Sequence, residues 1–322
     1  MLNLKETKDK DLILNILRRY RFNPYKKYAE SSLAKLETSK YLLSDSNKKY
    51  IFVEQEGNIR GFTIISKKEW DSEILGFNVG NIDFLASDGN YYNQLEIKKL
   101  LIKKIFKKFK VDKIDYILCR IDSGDHTSIN SLISSGFILI DGILTFSLNL
   151  EDIELYNDTS NVRIRHLNPG DEDQIKRIAR ESIKIGRFYS DPNISMTKAK
   201  KIYEIWAENS CNYRVADAVI VGAIDNEIAA FVTCRLDKNA KVCYDVNLGV
   251  IDLVATAKRF RKKGLAKHVI YGALKWFKEN NIDIIEVGTQ ISNISASRFY
   301  ESCGFRLISS SLTFRRLLNQ KH

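Results

Sequence analysis

Residues 125–137 (DHTSINSLISSGF) and 293–305 (NISASRFYESCGF) align in one frame at a constant offset of 168 residues, setting Gly136 with Gly304, Phe137 with Phe305 and Ser128 with Ala296. Their surroundings repeat too. Each segment follows a β-rich run (114–122 and 282–290), which itself follows a long amphipathic helix, and each precedes two further apolar runs (137–148 and 305–317). The recurring order strand–helix–strand–helix–strand–strand predicts two copies of one α/β unit, each a mixed sheet with helices on its faces. A chain of 322 residues is long enough for both copies to bury a core of their own.

The copies are not equivalent. In the second, residues 248–256 (LGVIDLVAT) read as a strand. Residues 265–280 read as a helix, with Leu265, Val269, Ile270, Ala273, Leu274 and Phe277 at helical spacing. The joint between them runs Arg261, Lys262, Lys263, Gly264, Leu265, Ala266. A basic, glycine-containing turn that opens a helix suits a diphosphate, because the first helical N–H groups have no intrahelical partner and the helix dipole adds positive potential there. Gly264 and Ala266 let the main chain close on the phosphates, and the three cations add charge. At the same offset the first copy has Asn93 for Arg261, Glu96 for Gly264, Asp125 for Asn293 and Leu132 for Tyr300. An acidic residue in the turn argues against a bound anion. Residues 1–152 are therefore predicted to form a degenerate unit, kept for packing, substrate contacts or dimerisation, and residues 160–322 the working one. The polar, aperiodic stretch 150–161 is the expected linker.

The formal net charge is +11. Lysines of the helix over 97–110 account for part of it; that helix is amphipathic, with Ile97, Leu100, Leu101, Ile105 and Phe109 inward and its lysines in water. No aromatic-rich strand or nucleic-acid motif accompanies them, so nucleic acid is not the expected partner, and polyanionic small substrates explain the balance better. The charged N-terminus lacks the apolar block of a signal peptide, and no stretch is apolar for the length of a spanning helix. Five scattered cysteines without a C-x-x-C spacing read as reduced thiols of a cytoplasmic protein, and four dispersed histidines form no metal cluster.

Taken together, Arg261, Gly264 and Ala266, followed after a strand by Asn293, Ala296, Tyr300, Gly304 and Phe305, resemble the two cofactor motifs of the GNAT acyltransferases. The departures are Lys262, where glycine is usual, and Lys258, where proline is usual. The resemblance implies two GNAT-like units, with mixed, mostly antiparallel sheets flanked by helices, and acyl-CoA as co-substrate without a metal. It implies that the main chain of Leu253, Val254, Ala255 and Thr256 takes the pantetheine arm as an added strand and gives one N–H to the thioester oxygen. Residues 261–266 would hold the diphosphate, and Asn293, Ala296 and Phe299 would complete the cofactor site. Tyr300 would protonate the leaving thiolate; its other reading is a packing tyrosine. Asn293 reads as a pantetheine contact, a helix N-cap, or both. Asp252 and Glu286 are the candidates for general base.

Three segments, 70–83, 187–192 with 203–210, and 289–317, resemble the dTDP-fucosamine acetyltransferase group of GNAT sugar N-acyltransferases. This implies transfer of an acyl group, acetyl or a longer one such as 3-hydroxybutanoyl, to the 4- or 3-amino group of a dTDP-linked amino-dideoxysugar used in surface polysaccharide. Arg187 would meet phosphate, Phe188 and Tyr189 would stack on base or sugar, and Asp191 would bond a hydroxyl or the amine. The other reading of Asp191 is a helix-start turn. A peptide, aminoglycoside or small amine is the alternative acceptor, and the spare N-terminal unit suits a homodimer.

Overall fold

The computed structural model describes residues 2–9, 12, 47–153 and 162–318, with the backbone only at 242–244. In chain order its elements are β1 (Asn3–Thr7), β2 (Lys49–Gln55), β3 (Asn58–Lys67), α1 (Glu69–Leu75), β4 (Val79–Ser87), α2 (Tyr91–Val111), β5 (Tyr116–Asp122), α3 (His126–Ser134) and β6 (Ile138–Asn149). A short 3-10 turn at Leu150–Asp152 follows. Then come β7 (Arg163–His166), α4 (Glu172–Ser182), α5 (Arg187–Ser190), α6 (Met196–Cys211), β8 (Ala218–Ile224), β9 (Glu227–Leu236) and α7 (Lys238–Tyr244). The chain ends with β10 (Leu248–Thr256), a 3-10 turn at Lys258–Phe260, α8 (Leu265–Glu279), β11 (Ile284–Gln290), α9 (Ile294–Ser302) and β12 (Arg306–Leu317).

The chain divides into two compact units, Met1–Gly142 with Ser310–His322, and Ile143–Ser309. In the first unit the strand order is β1-β2-β3-β4-β5-β12, antiparallel except for the parallel pair β4–β5. In the second it is β7-β8-β9-β10-β11-β6, antiparallel except for β10–β11. The boundaries thus lie at Gly142 and Ser309, not in the stretch expected to be a linker, of which residues 154–161 lie outside the described residues. Neither apolar run after a repeated glycine–phenylalanine pair is the pair of strands expected of it. Each is one strand of 12 residues. No residue in either strand takes a positive φ, so neither contains the turn of a primed hairpin. The second part of β6 (Ile143–Asn149) pairs with β11, and that of β12 (Ser311–Leu317) pairs with β5. Each half of the sequence therefore supplies the closing strand of the other unit.

The cores repeat as the sequence does. A Cβ at Gly80 would lie 2.8 Å from the ring of Phe109, and one at Gly249 would lie 2.4 Å from that of Phe277, so in both units the long helix presses an aromatic ring onto a strand glycine. The duplication extends to the bulge in the fourth strand of each copy. Register slips beside Asp83 in β4 and across Asp252 in β10. Each aspartate takes a cation from the preceding strand or the residue just after it, Lys68 at 3.3 Å and Arg235 at 3.0 Å.

One expectation for α2 fails. Its lysines do not all face water: Lys98 is buried (3% exposed), its Nζ donating to Thr127 and Ser128 hydroxyls at 2.7 Å each and to Asp125 at 3.0 Å. Burial pulls the Lys98 ammonium below its ordinary value. Burial also pushes Asp125 up, but Lys98 and the Ser128 bonds outweigh it and hold that carboxyl low. Asp125, Thr127 and Ser128 occupy the repeat positions of Asn293, Ser295 and Ala296, and Lys98 that of Ala266. Helix α2 also begins at Tyr91, six residues before the repeat position of Leu265, so the counterpart of the glycine turn is wound into helix. The first unit thus places a buried ammonium at the repeat position of Ala266. Lys98→Met should lower stability by about 2–3 kcal/mol in urea unfolding. That is the cost of breaking a buried pair, reduced because the Asp125 carboxylate is partly in water.

Candidate active site

In the second unit β10 and β11 pair only from Leu248 to Ile251 and from Ile284 to Val287, yet they run on to Thr256 and Gln290. Beyond Ile251 the two strands part. The bulge sets what faces the opening. Residues 252 and 253 together oppose Thr233, so the alternation resets between Ile251 and Val254. Leu253 donates its N–H to Thr233 Oγ1 at 2.9 Å and Ala257 donates to the Ala229 carbonyl at 2.8 Å, so 253, 255 and 257 face β9. Val254 and Thr256 therefore turn their main-chain groups towards the opening. This narrows the expected run of four contact residues, because Leu253 and Ala255 spend their ladder groups on β9. The Thr256 carbonyl accepts from Ser182 Oγ at 3.0 Å and from Arg261 Nε at 3.3 Å.

At the foot of β10 the chain makes its 3-10 turn and enters α8 through Gly264, at φ 79°, with no side-chain cap on the helix. Helices α2, α3, α6 and α9 are capped by Asn90, Asp125, Ser195 and Asn293. Gly264 has no side chain to offer, so the first N–H groups of α8 stay open to a ligand. Residues 261–264 are all exposed. Lys262 takes φ 62°, the left-handed region that glycine fills freely, at a cost of about 1 kcal/mol. Arg261 turns inward, Nη2 donating to the Ser182 carbonyl at 3.1 Å beside its bond to Thr256, so it ties α4 to the turn. Leu265 is buried in the core and offers only main chain, and Ala266 is half-buried.

Asn293 caps α9, its Oδ1 accepting the Ala296 N–H at 3.3 Å while Nδ2 donates to Thr289 Oγ1 at 3.2 Å. Tyr300 is buried (6% exposed) among rings, its centroid 5.4 Å from Phe299, 5.9 Å from Phe305 and 6.1 Å from Phe146. Burial drives its phenol well above the usual value, so it stays protonated through neutral pH and the role open to it is donor. The neighbouring Cys303 thiol is pushed up to about 11 and Cys211 to about 12, chiefly by burial, so neither is a nucleophile at neutral pH.

On the sheet face opposite α8, Asp252 pairs through both oxygens with Arg235, at 3.0 and 3.4 Å. Burial raises the Asp252 carboxyl and the guanidinium opposes that. Glu286 lies opposite Val250 across the parallel pair and so shares this face. The loop from α4 to α6 comes down over the end of β11: a Cβ at Gly186 would lie 3.5 Å from Gln290 Nε2. Two residues expected to meet substrate are withdrawn in that loop. Phe188 is buried in an edge contact with Tyr203, with Arg187 over its ring at 4.5 Å from the centroid. Asp191 (1% exposed) accepts the Asn193 N–H at 2.9 Å and its side-chain amide at 3.1 Å, which is the turn role. Tyr189 is half-buried, stacked on Tyr203 at 5.7 Å and donating to the Ile183 carbonyl at 2.7 Å. Trp206 is also stacked on Tyr203, at 6.2 Å. Thr233, Arg235, Ser182 and Gln290 belong to the site but escaped the sequence reading. Among the described residues no cluster of three or more His, Cys, Asp or Glu could hold a metal, and no helix is long and apolar enough to cross a membrane.

A parted strand pair, an uncapped glycine turn and a following helix are the marks of the GNAT fold, and the chain is a CoA-dependent N-acyltransferase with that fold. Residues 185–305 match the Acetyltransferase (GNAT) family. The chain is 26% identical over 255 residues to the spore coat polysaccharide biosynthesis protein SpsD of Bacillus subtilis (strain 168), covering 78% of this chain and 82% of that one. It is 29% identical over 96 residues to N-alpha-acetyltransferase 30 of Xenopus laevis, covering 30% of this chain and 33% of the relative. A tandem GNAT protein from the clavulanic acid biosynthesis pathway superposes over 100% of both chains with TM-score 0.58 at 10% identity, a likeness of fold.

Proposed function

We propose that the second unit transfers an acyl group from acyl-CoA to the amino group of a dTDP-linked amino-dideoxysugar destined for a surface polysaccharide. The observation that carries the acyl-CoA part is the parting of β10 from β11 with Val254 facing the opening, directly upstream of the uncapped turn at Gly264. The sugar part is supported by the resemblance of 187–192, 203–210 and 289–317 and by a relative named for spore coat polysaccharide biosynthesis. In this reading the diphosphate sits on the first N–H groups of α8 beside Lys262 and Lys263. The pantetheine arm lies along Val254 and Thr256, with Asn293 and Phe299 at its flank. Asp252 or Glu286 takes the proton of the amine, directly or through water, and Tyr300 returns one to the thiolate. Arg187 and Tyr189 remain as the acceptor contacts of the loop.

Two measurements test this. The first is a screen of dTDP-aminosugars, with amines at C3 and C4, against acetyl-CoA and longer acyl-CoAs, following thiol release; turnover with a dTDP-aminosugar above that with free amines is expected. The second is Tyr300→Phe, which should lower turnover by about 100-fold, the ordinary worth of a positioned acid, and leave acyl-CoA affinity within twofold. Unchanged turnover would remove Tyr300 from the chemistry.

A second reading, an N-acetyltransferase of peptides or small amines, is favoured by the 96-residue match to an N-alpha-acetyltransferase. It gains if dTDP fails to raise the melting temperature where CoA raises it.

A further inference from the structure

Resting on the acyl-CoA reading, we infer that Thr233 is a positioning residue for acyl transfer: its hydroxyl holds the β10 bulge so that the Val254 N–H points at the thioester oxygen. The bulge is what makes Val254 available. Before it, residues 248 and 250 face β9, Leu248 accepting the Asp237 N–H at 2.8 Å. After it, 253, 255 and 257 do. Two residues of β10 must therefore crowd against the single residue Thr233. Facing β9 after the bulge, Leu253 would in the ordinary pattern give its N–H to a β9 carbonyl. Here the Thr233 side chain intercepts it at 2.9 Å, from a position with no exposed surface. That bond fixes Leu253 and, one peptide on, the direction of the Val254 N–H.

The degenerate unit supplies an internal comparison. There the place of Thr233 beside the bulge is taken by Ile64, equally buried and paired with Phe84, the counterpart of Leu253, while Thr63 stands one residue earlier, opposite Leu85 as Val232 stands opposite Val254. Isoleucine has no hydroxyl to accept a peptide N–H, and this is the copy that has Lys98 at the repeat position of Ala266. The bulge therefore forms without a hydroxyl in that place, so the fold alone does not require Thr233 to accept an N–H.

The test uses the full chain and two probes, acetyl-CoA and CoA, in calorimetry, so no acceptor is needed. Thr233→Val keeps the shape and removes the acceptor oxygen; Thr233→Ser restores it. Thr233→Val should leave CoA affinity within twofold and weaken acetyl-CoA by about three- to tenfold, the worth of one hydrogen bond to the thioester carbonyl. Thr233→Ser should keep the acetyl-CoA to CoA ratio of the parent. Should the valine variant not fold, Thr233→Cys takes its place as a poor acceptor of similar size, with the same expected loss. An unchanged ratio in the valine or cysteine variant, or a serine variant that behaves like them, overturns the role. Absence of CoA binding by the parent protein would instead sink the acyl-CoA reading itself.

Discussion

Gly264→Asp abolishes acyl-CoA binding and leaves the protein folded: that is the expected result with the largest effect on function. Gly264 caps α8 at φ 79°, and its position is exposed. A Cβ there would meet nothing closer than His268 Nε2 at 3.9 Å, so the substitution is not refused by sterics. It costs about 1–2 kcal/mol in backbone strain. The carboxylate does the rest. It can cap the very N–H groups the diphosphate needs, and it sets a negative charge about 4 Å from another. At an effective surface dielectric this repulsion is roughly 4 kcal/mol, about a thousandfold in affinity. Gly264→Ala separates the two causes. It carries the strain without the charge and should keep affinity within about tenfold while melting a few degrees lower. Calorimetry with acetyl-CoA, alongside thermal unfolding of both variants, reads the difference. Equal binding by the aspartate variant would place the diphosphate elsewhere.

Removing residues 1–159 is expected to destroy the acyltransferase unit rather than liberate it. Strand β6 pairs seven residues with β11, Asn149 with Ile284 through Ile143 with Gln290. With the turn after it, that segment buries Phe146, Leu148 and Leu150 in the second unit's core, Phe146 against Tyr300. Burying three such side chains is worth about 5–9 kcal/mol, as much as the whole stability of an ordinary domain. Its loss would also bare the edge of β11. A chain of residues 160–322 should show no cooperative thermal transition, and one of 138–322 should regain it. Cooperative unfolding of the shorter chain within a few degrees of the full protein would contradict the exchange of strands.

What the sequence disclosed and what it hid follow from how local each signal is. The motif strand, the turn and α8 were legible because each is written in neighbouring residues: alternation over 248–256, a glycine at the break, and a 3.6-residue period from Leu265 to Phe277. The duplication was legible because Gly136 and Gly304 both stand at positive φ after a short helix, a demand that few other residues meet. The destination of β6 and β12 was not, since an apolar run states that it will be buried but not in which sheet. Lys98 reads as a surface lysine because its partners lie 27 to 30 residues away, on a helix whose approach to α2 is a tertiary fact. Phe188 looked available because loop aromatics usually are; here it is buried against Tyr203. The bulge that turns Val254 outward depends on the register between two strands, which no single strand encodes.

Acyl-CoA is expected to bind in the second unit and nowhere else in the chain. Titration of the full-length protein with acetyl-CoA tests that directly. One equivalent per chain, lost in Gly264→Asp and retained in Lys98→Met, is the predicted outcome. A folded protein that gives no heat of binding, or that takes up two equivalents per chain, would contradict it.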